Sequence, residues 1–365
     1  MAVRRPPPVS GAAGLTDPAV RPALVLLTAW LLVTAVPLAE SGAGPAGYGA
    51  LVWHLVLVGA SVAMLALTAG ARAGATPRRS RAAAPALEWS VAWLPLVAVP
   101  ALYAELPIVA AGLAGAGSGV AAMHDAVAIR WELALFGPLL GASPAVALAR
   151  HASWTPLSEL LHLAYLAYYV IIYVPPALLW WEARRRRGGV VSGAADPRAA
   201  FYASAFTVLL AFVLCYAVFV VFPVQGPWYT WHTGGPGGLP LAGPVRAFVQ
   251  GLLVAGSSRG TAFPSSHVAV SVAQTVVLAR VAPRLARAAG PATALLALGA
   301  VYGGYHYGVD ALAGAALGAA VGWAGPRLLA YVAGGQGRER QGRERRATEE
   351  FRPAAGRAAL ERSAQ

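Results

Sequence analysis

Lysine is absent from this chain of 365 residues, so all 28 basic residues are arginines. Cysteine occurs once, at Cys215 inside an apolar run, which excludes an intrachain disulfide and a cysteine-based metal site. Charged residues make up only 12% of the chain, whereas 58% of the residues are hydrophobic. A composition this poor in charge is unlike that of a soluble domain and is typical of a membrane protein.

Several apolar runs reach the roughly 17 to 25 residues that cross a bilayer as a helix. We therefore expect an all-α, polytopic membrane bundle of about eight transmembrane helices, with both ends of the chain on one side. These helices are predicted near residues 22–40, 49–70, 88–110, 160–181, 201–222, 266–282, 290–304 and 308–332. Residues 111–158 are expected to contain an interfacial helix, and residues 223–263 an irregular loop with interfacial aromatic side chains.

The net charge of +13 comes mostly from arginines in short links between the apolar runs. All of these arginine clusters fall on the same side of the predicted bundle, and basic links mark the cytoplasmic side of a membrane protein. The charge is therefore a topology signal, and we expect no nucleic-acid partner. The sequence predicts a multi-pass protein of the plasma membrane whose opposite helix ends face the exterior or periplasm.

Two short segments on that exterior side place ionisable residues at the edges of apolar runs. They are Pro264-Ser265-Ser266-His267 and, further on, His306-Tyr307-Gly308-Val309-Asp310. Asp310 is also the only acidic residue between Asp196 and Glu339. Ionisable groups at membrane depth are costly and mark functional sites, although a satisfied polar pair at a helix end is the alternative interpretation.

The spacing of these residues suits phosphoryl transfer. On a helix, His306 and Asp310 share a face, so the carboxylate can orient the imidazole and leave its other nitrogen free as a nucleophile. Backbone N–H groups and the hydroxyls of Ser265 and Ser266 at a helix N-terminus can bind an anion, and His267 beside it can protonate a leaving oxygen. Phosphate fits this serine turn better than a metal does, so we expect no metal and no cofactor.

These residues resemble motifs of the type 2 phosphatidic acid phosphatase superfamily, which also contains the vanadium haloperoxidases. Its second motif, Pro-Ser-Gly-His, is similar to residues 264–267 with Ser266 in place of glycine, and the His and Asp of its third motif fall on His306 and Asp310. The resemblance implies that His306 attacks phosphorus, that Asp310 orients it, and that His267 protonates the leaving group.

The resemblance covers about residues 88–333 and implies a six-helix phosphatase-like core. Two added transmembrane helices would precede this core within residues 1–87. The Arg/Glu-rich tail, residues 334–365, has the composition of a disordered cytoplasmic segment. Three glycines spaced four residues apart in the last helix predict a close contact with a neighbouring helix.

The chain departs from the family pattern at its cationic positions. The first motif contains a lysine and an Arg-Pro pair, both missing from the core, and Gly299-Ala300 stands where the third motif has Ser-Arg. Such cations normally stabilise a transferring phosphoryl group. Arg259 lies on the same side as His267, and we predict either that it supplies the missing charge or that it lies in solvent against lipid headgroups.

Residues 222–228 and 262–269 resemble the inositol phosphorylceramide synthase-like and sphingomyelin synthase-like branch of the superfamily. Three functions remain open. The first is hydrolysis of a lipid phosphate or polyprenyl pyrophosphate through a phosphohistidine, and it ranks first because hydrolysis demands least of the site. The second is transfer of a phosphorylated headgroup onto a lipid or polyol, and the third is phospholigand binding by a catalytically weak protein. The expected partners are a phosphorylated lipid and the bilayer. The sequence does not indicate whether the protein is a monomer or an oligomer.

Overall fold

A computed structural model of the chain describes residues 15–41, 44–72, 84–115, 123–152, 154–186, 196–231 and 243–362. Within these ranges the backbone forms thirteen helices and no strand, apart from one isolated parallel bridge between Val224 and Thr261. The predicted all-α class is therefore confirmed. A bundle of this kind suits a bilayer, because each helix satisfies its backbone hydrogen bonds internally.

Most of the helices follow the apolar runs of the sequence. In chain order they are α1 (Arg21–Glu40), α2 (Gly44–Arg72), α3 (Ala84–Val97), α4 (Val99–Leu113), α5 (Asp125–Leu140), α6 (Pro144–His151), α7 (Thr155–Arg185), α8 (Pro197–Val221), α9 (Pro227–Trp231), α10 (Pro244–Gly256), α11 (Ser266–Val281), α12 (Pro283–Tyr302) and α13 (Gly308–Arg362).

Seven helical segments of the described part are long and apolar enough to cross a membrane. Their bounds are Arg21–Glu40, Gly47–Arg72, Pro85–Leu113, Thr155–Arg185, Pro197–Val221, Pro283–Tyr302 and Gly308–Gly335. The remaining predicted segment, near residues 266–282, corresponds to α11, which has only 16 residues. At about 1.5 Å per residue it is shorter than the roughly 30 Å hydrocarbon core of a bilayer.

Helix α11 lies inside the bundle, packed against α7, α8, α12 and α13. Its contact with α13 depends on the three regularly spaced glycines Gly314, Gly318 and Gly322. A Cβ atom at Gly314 would lie 2.5 Å from the carbonyl oxygen of Ser265, and one at Gly318 would overlap the carbonyl oxygen of Ala269. The predicted close glycine contact is therefore confirmed, and it places the beginnings of α11 and α13 side by side.

The two N-terminal helices are tied to α4 by a buried histidine. His54 of α2 is fully buried, with Nδ1 2.8 Å from Oε2 of Glu105 on α4 and Nε2 2.7 Å from the carbonyl oxygen of Leu31 on α1. The ring thus joins three helices through both of its nitrogens. His54 is therefore a hydrogen-bonded structural residue.

The candidate residues lie at one end of the bundle, in or next to the segments that connect the long helices. Helices α5 and α6 form where the sequence predicts one interfacial helix, and α9 and α10 form within residues 223–263, where it predicts an irregular loop. Helix α10 is held by Glu159 of α7, whose carboxylate oxygens accept the N–H groups of Val245 (2.8 Å) and Arg246 (3.0 Å). This carboxylate lies more than 80 residues away along the chain, so local composition does not reveal the helix.

The opposite end carries arginine ion pairs and the tail. Arg198 lies 2.7 Å from Oε1 of Glu88 and 3.2 Å from Oδ2 of Asp17.

Helix α13 continues to Arg362 and so includes most of residues 334–365, for which the sequence predicts disorder. The tail is rich in alanine, glutamate, glutamine and arginine, and these residues have high intrinsic helix propensity.

Candidate functional site

His267 and His306 meet at the end of the bundle where α11 and α13 begin. Their ring centroids are 5.7 Å apart, and both rings line a small cavity of about 40 Å³. Ser265 fixes this arrangement, because its Oγ accepts the N–H of Val268 at the start of α11 (3.4 Å) while its own N–H donates to the backbone oxygen of Asp310 (2.9 Å). The two helix beginnings are therefore joined through one residue of the serine turn.

His306 is oriented mainly by a backbone carbonyl. Its Nδ1 lies 3.0 Å from the carbonyl oxygen of Ala262 and 3.7 Å from Oδ2 of Asp310. Because a carbonyl oxygen only accepts, Nδ1 carries the hydrogen and Nε2 keeps its lone pair. The expected arrangement on one helix face is replaced by a different one, since α13 begins at Gly308 and His306 precedes it.

Asp310 is completely buried beside this histidine. Its Oδ2 accepts the N–H of Tyr307 (2.8 Å), and its Oδ1 has no hydrogen-bond partner among the described residues. The carboxylate thus contributes a nearby negative charge and holds the turn that carries His306, instead of making a close hydrogen bond to the ring. A negative charge at this distance stabilises positive charge that develops on the imidazole.

His267 stands between two tyrosine rings of α7. Its ring centroid lies 4.8 Å from that of Tyr165 and 4.3 Å from that of Tyr168, and its Nε2 is 3.1 Å from the hydroxyl oxygen of Tyr165. Nδ1 is buried and has no hydrogen-bond partner within the described residues. Buried ring nitrogens usually have a partner, so this one is an exception that a role in the site would explain.

Two imidazoles, a buried carboxylate and a serine-capped helix are thus assembled from residues up to 45 positions apart. Residues 201–333 match the family model described as the PAP2 superfamily. The match runs from α8 into α13 and contains His267, His306 and Asp310. Comparison with curated proteins and with solved structures finds no match. The PAP2 match supports the superfamily indicated by the motifs, while the synthase-like branch stays a prediction.

The cationic position of the third motif, at Gly299-Ala300, is closed by packing in this chain. A Cβ atom at Gly299 would overlap the carbonyl oxygen of Leu161 on α7, so the two helix backbones touch at this point. Ala300 is completely buried in a cluster with Tyr165 and Tyr305. An arginine at position 300 would need the space that these rings fill, so the departure from the PAP2 pattern agrees with the local structure.

A larger cavity of about 390 Å³ adjoins the histidines and shares His267 and Tyr165 with the smaller one. Its lining is mostly apolar and includes six tyrosines, namely Tyr103, Tyr165, Tyr168, Tyr169, Tyr173 and Tyr216. The sequence analysis did not identify these six tyrosines as the lining of a cavity. The signal was present, because four of these tyrosines lie on α7 at spacings of three, one and four residues, which place them along one side of a helix.

The remaining candidate residues are distributed around the histidines. Ser266 lines the larger cavity beside His267, whereas Ser265 is fully buried as the helix cap. Arg259 is exposed, and its guanidinium carbon lies 5.3 Å from the ring centroid of Tyr229, which itself lines the smaller cavity. Neither cavity is lined by an arginine of the described ranges. The structure therefore brings Ser266 to the histidines and leaves Arg259 at the rim.

Two buried carboxylates of α5 accept backbone N–H groups of segments next to the histidines. The sequence analysis assigns them no function. Glu132 accepts the N–H groups of Gly308 (3.0 Å) and Val309 (2.9 Å), and Asp125 accepts those of Gln225 and Gly226, both at 3.0 Å. Burial raises the pKa of Glu132, and the two N–H donors oppose that rise. These hydrogen-bond partners lie 100 to 177 residues away along the chain, so no local sequence pattern predicts the contacts.

No set of three His, Cys, Asp or Glu side chains in the described part is arranged to hold a metal ion.

Proposed function

We propose that this protein is an integral-membrane phosphatase or phosphotransferase that acts on a phosphorylated lipid through a phosphohistidine at His306. The orientation of His306 carries this proposal, because the bond from Nδ1 to the carbonyl of Ala262 leaves Nε2 with a lone pair in a ring that lines the cavity shared with His267. The PAP2 match across residues 201–333 supports the same reaction class.

In the proposed reaction, Nε2 of His306 forms a bond to phosphorus while the bond from phosphorus to the leaving oxygen breaks. His267 donates a proton to that oxygen. Water or an alcohol then attacks phosphorus, the bond from phosphorus to Nε2 of His306 breaks, and the proton of the attacking hydroxyl passes to His267. Burial between tyrosine rings disfavours a charged His267, so the bound phosphoryl anion beside it has to favour the imidazolium. Asp310 offsets the positive charge on His306 during both steps.

The remaining candidates take supporting roles in this proposal. The N-terminus of α11, including Ser266, would donate hydrogen bonds to the phosphoryl oxygens, and Ser265 would hold this turn in place as the helix cap. Arg259 would contribute positive charge from the rim through its position over Tyr229. Residues 88–333 would form the phosphatase-like core, to which His54 and Glu105 attach the added helices of residues 1–87. We propose that the site faces the exterior or periplasm of the plasma membrane, because the arginine clusters lie at the opposite helix ends.

Transfer of a phosphorylated headgroup is the second candidate, and the lining of the cavities favours it. The described lining of both cavities lacks arginine, and the chain has no lysine. Burying a phosphodiester with one negative charge costs less than burying a monoester with two, because uncompensated buried charge is expensive. The cavity of about 390 Å³ would accommodate apolar parts of a donor or an acceptor.

Phosphate release by purified wild-type protein in detergent separates these functions. We expect turnover of a lipid phosphate or polyprenyl pyrophosphate in the presence of a chelator, because the proposed chemistry uses only side chains of the chain. Each substrate, including phosphodiester lipids, is assayed with and without an added lipid alcohol or polyol. Release without acceptor indicates the phosphatase, and formation of a new phosphorylated lipid only with acceptor indicates the transferase. No product under either condition contradicts the proposed catalysis and favours phospholigand binding.

A further inference from the structure

Helix α5 contacts the segment that carries both His306 and Asp310. The carboxylate of Glu132 is fully buried, and each of its oxygens accepts one N–H at the start of α13, from Gly308 and from Val309. These two residues lie between the proposed nucleophile and its carboxylate. A negative group at this position also interacts favourably with the N-terminal end of the α13 dipole.

The approach of α5 to this segment is close. A Cβ atom at Gly308 would lie 2.8 Å from Cε2 of Phe136 on α5 and 2.9 Å from Cγ of Pro144 on α6. Glycine at position 308 is therefore what allows the backbone to reach the carboxylate of Glu132. A contact with so little free space restricts where the turn from His306 to Asp310 can lie.

A second carboxylate on the same side of α5 acts on the neighbouring parts of the site. Asp125 lies seven residues, or about two turns, before Glu132. Its oxygens accept the N–H groups of Gln225 and Gly226, and its Oδ1 lies 3.3 Å from the hydroxyl of Tyr307. The hydroxyl of Tyr307 lies 3.0 Å from Oγ1 of Thr230 in α9. Helix α5 thus connects the nucleophile segment to the turn before α9.

We infer that Glu132 is a positioning residue for the proposed phosphotransfer, holding His306 and Asp310 in attacking geometry through the backbone of Gly308 and Val309. This inference rests on the proposed function and adds a residue that acts without touching substrate. Glu132 would affect the rate through geometry, because a displacement of about 1 Å in a reacting group costs on the order of 100-fold in rate.

Glu132→Gln tests this role while keeping the size of the side chain. The amide replaces one acceptor oxygen with a donor that faces a backbone N–H, so one of the two bonds is lost and the turn shifts. We expect kcat to fall by roughly 10- to 100-fold while KM stays within about threefold, because the groups that bind the ground state are unchanged. Inhibition by vanadate, a transition-state analogue, should weaken by a similar factor, and inhibition by inorganic phosphate should not.

Two other glutamates serve as matched controls. Glu159 makes the same two-pronged contact with the N-terminus of α10, which lines the larger cavity, so Glu159→Gln should raise KM and leave kcat nearly unchanged. Glu182 pairs with Arg186 at the opposite end of the bundle, so Glu182→Gln should change neither constant. Thermal unfolding of every variant is measured in the same detergent.

The outcomes separate this inference from the proposed function. Wild-type kcat in Glu132→Gln overturns the positioning role, as does a parallel loss of kcat, substrate affinity and phosphate inhibition together with a lower Tm. If Glu132→Gln does not yield folded protein, Glu132→Asp makes the same test, because it keeps the charge but withdraws the carboxylate by one methylene. Absence of turnover in the wild type overturns the proposed function, and the positioning role with it.

Discussion

Replacing His306 by alanine is expected to lower kcat on the preferred substrate by on the order of 10⁴-fold or more, because the covalent route disappears with the nucleophile. The fold should survive, since His306 lies between α12 and α13 and its loss removes one hydrogen bond, worth about 1 kcal/mol, to the carbonyl of Ala262. Turnover is measured by product release, and folding by thermal unfolding and by the elution volume of the protein–detergent complex.

His151 provides the matched control for this variant. It is an exposed histidine at the end of α6, on the same end of the bundle as His306. His151→Ala should retain wild-type turnover, because nothing in the proposed chemistry uses that ring. A His306→Ala protein that keeps turnover within tenfold of the wild type would show that another group attacks phosphorus. His306-dependent turnover would in turn exclude the catalytically weak binding protein.

Replacing His267 by alanine should produce a loss that depends on the leaving group. For substrates with an alkyl leaving oxygen we expect kcat to fall by roughly 10²- to 10⁴-fold, the usual contribution of a general acid. For p-nitrophenyl phosphate the loss should be much smaller, because the nitrophenolate leaves without needing a proton. The measurement compares both substrates for wild type and His267→Ala at the same pH.

A second buried histidine tests whether this pattern is specific. His162 of α7 is buried, with Nδ1 2.6 Å from the carbonyl oxygen of Ser158, and it lines neither cavity next to His267. His162→Gln should affect the two substrates by the same factor, since it acts only through packing. Equal losses on both leaving groups in His267→Ala would remove the general-acid role and leave His267 as a structural residue.

The fold class follows from features that are local in the sequence. Apolar runs predict eight membrane-crossing segments, and seven of them correspond to helices long enough to cross a bilayer. The four-residue spacing of Gly314, Gly318 and Gly322 predicts the contact between α13 and α11. The apolar run near residues 266–282 also predicts α11, but a run of 16 residues does not reveal that this helix packs inside four others. Tail composition was also ambiguous, since residues that favour disorder by charge also have high helix propensity.

The candidate site is only partly readable from the sequence. Residue types and motif spacing single out His267, His306 and Asp310, and the structure places them together. Their hydrogen bonds are not readable in this way, because the partner of His306 is the carbonyl of Ala262, 44 residues away, and any residue type supplies a carbonyl. The carboxylate of Glu132 reaches backbone N–H groups 176 and 177 residues away, for which the sequence carries no signature.

The phosphohistidine itself is the most direct test of this account. Wild-type protein is mixed with substrate labelled at phosphorus, quenched within one turnover under alkaline conditions that preserve phosphohistidine, and digested for mass spectrometry. We predict label, as a phosphoryl or phosphoryl-headgroup adduct, on the peptide that contains His306, and no label in His306→Ala. Turnover that proceeds with the label on another residue, or with no labelled protein at any quench time, would contradict nucleophilic attack by His306.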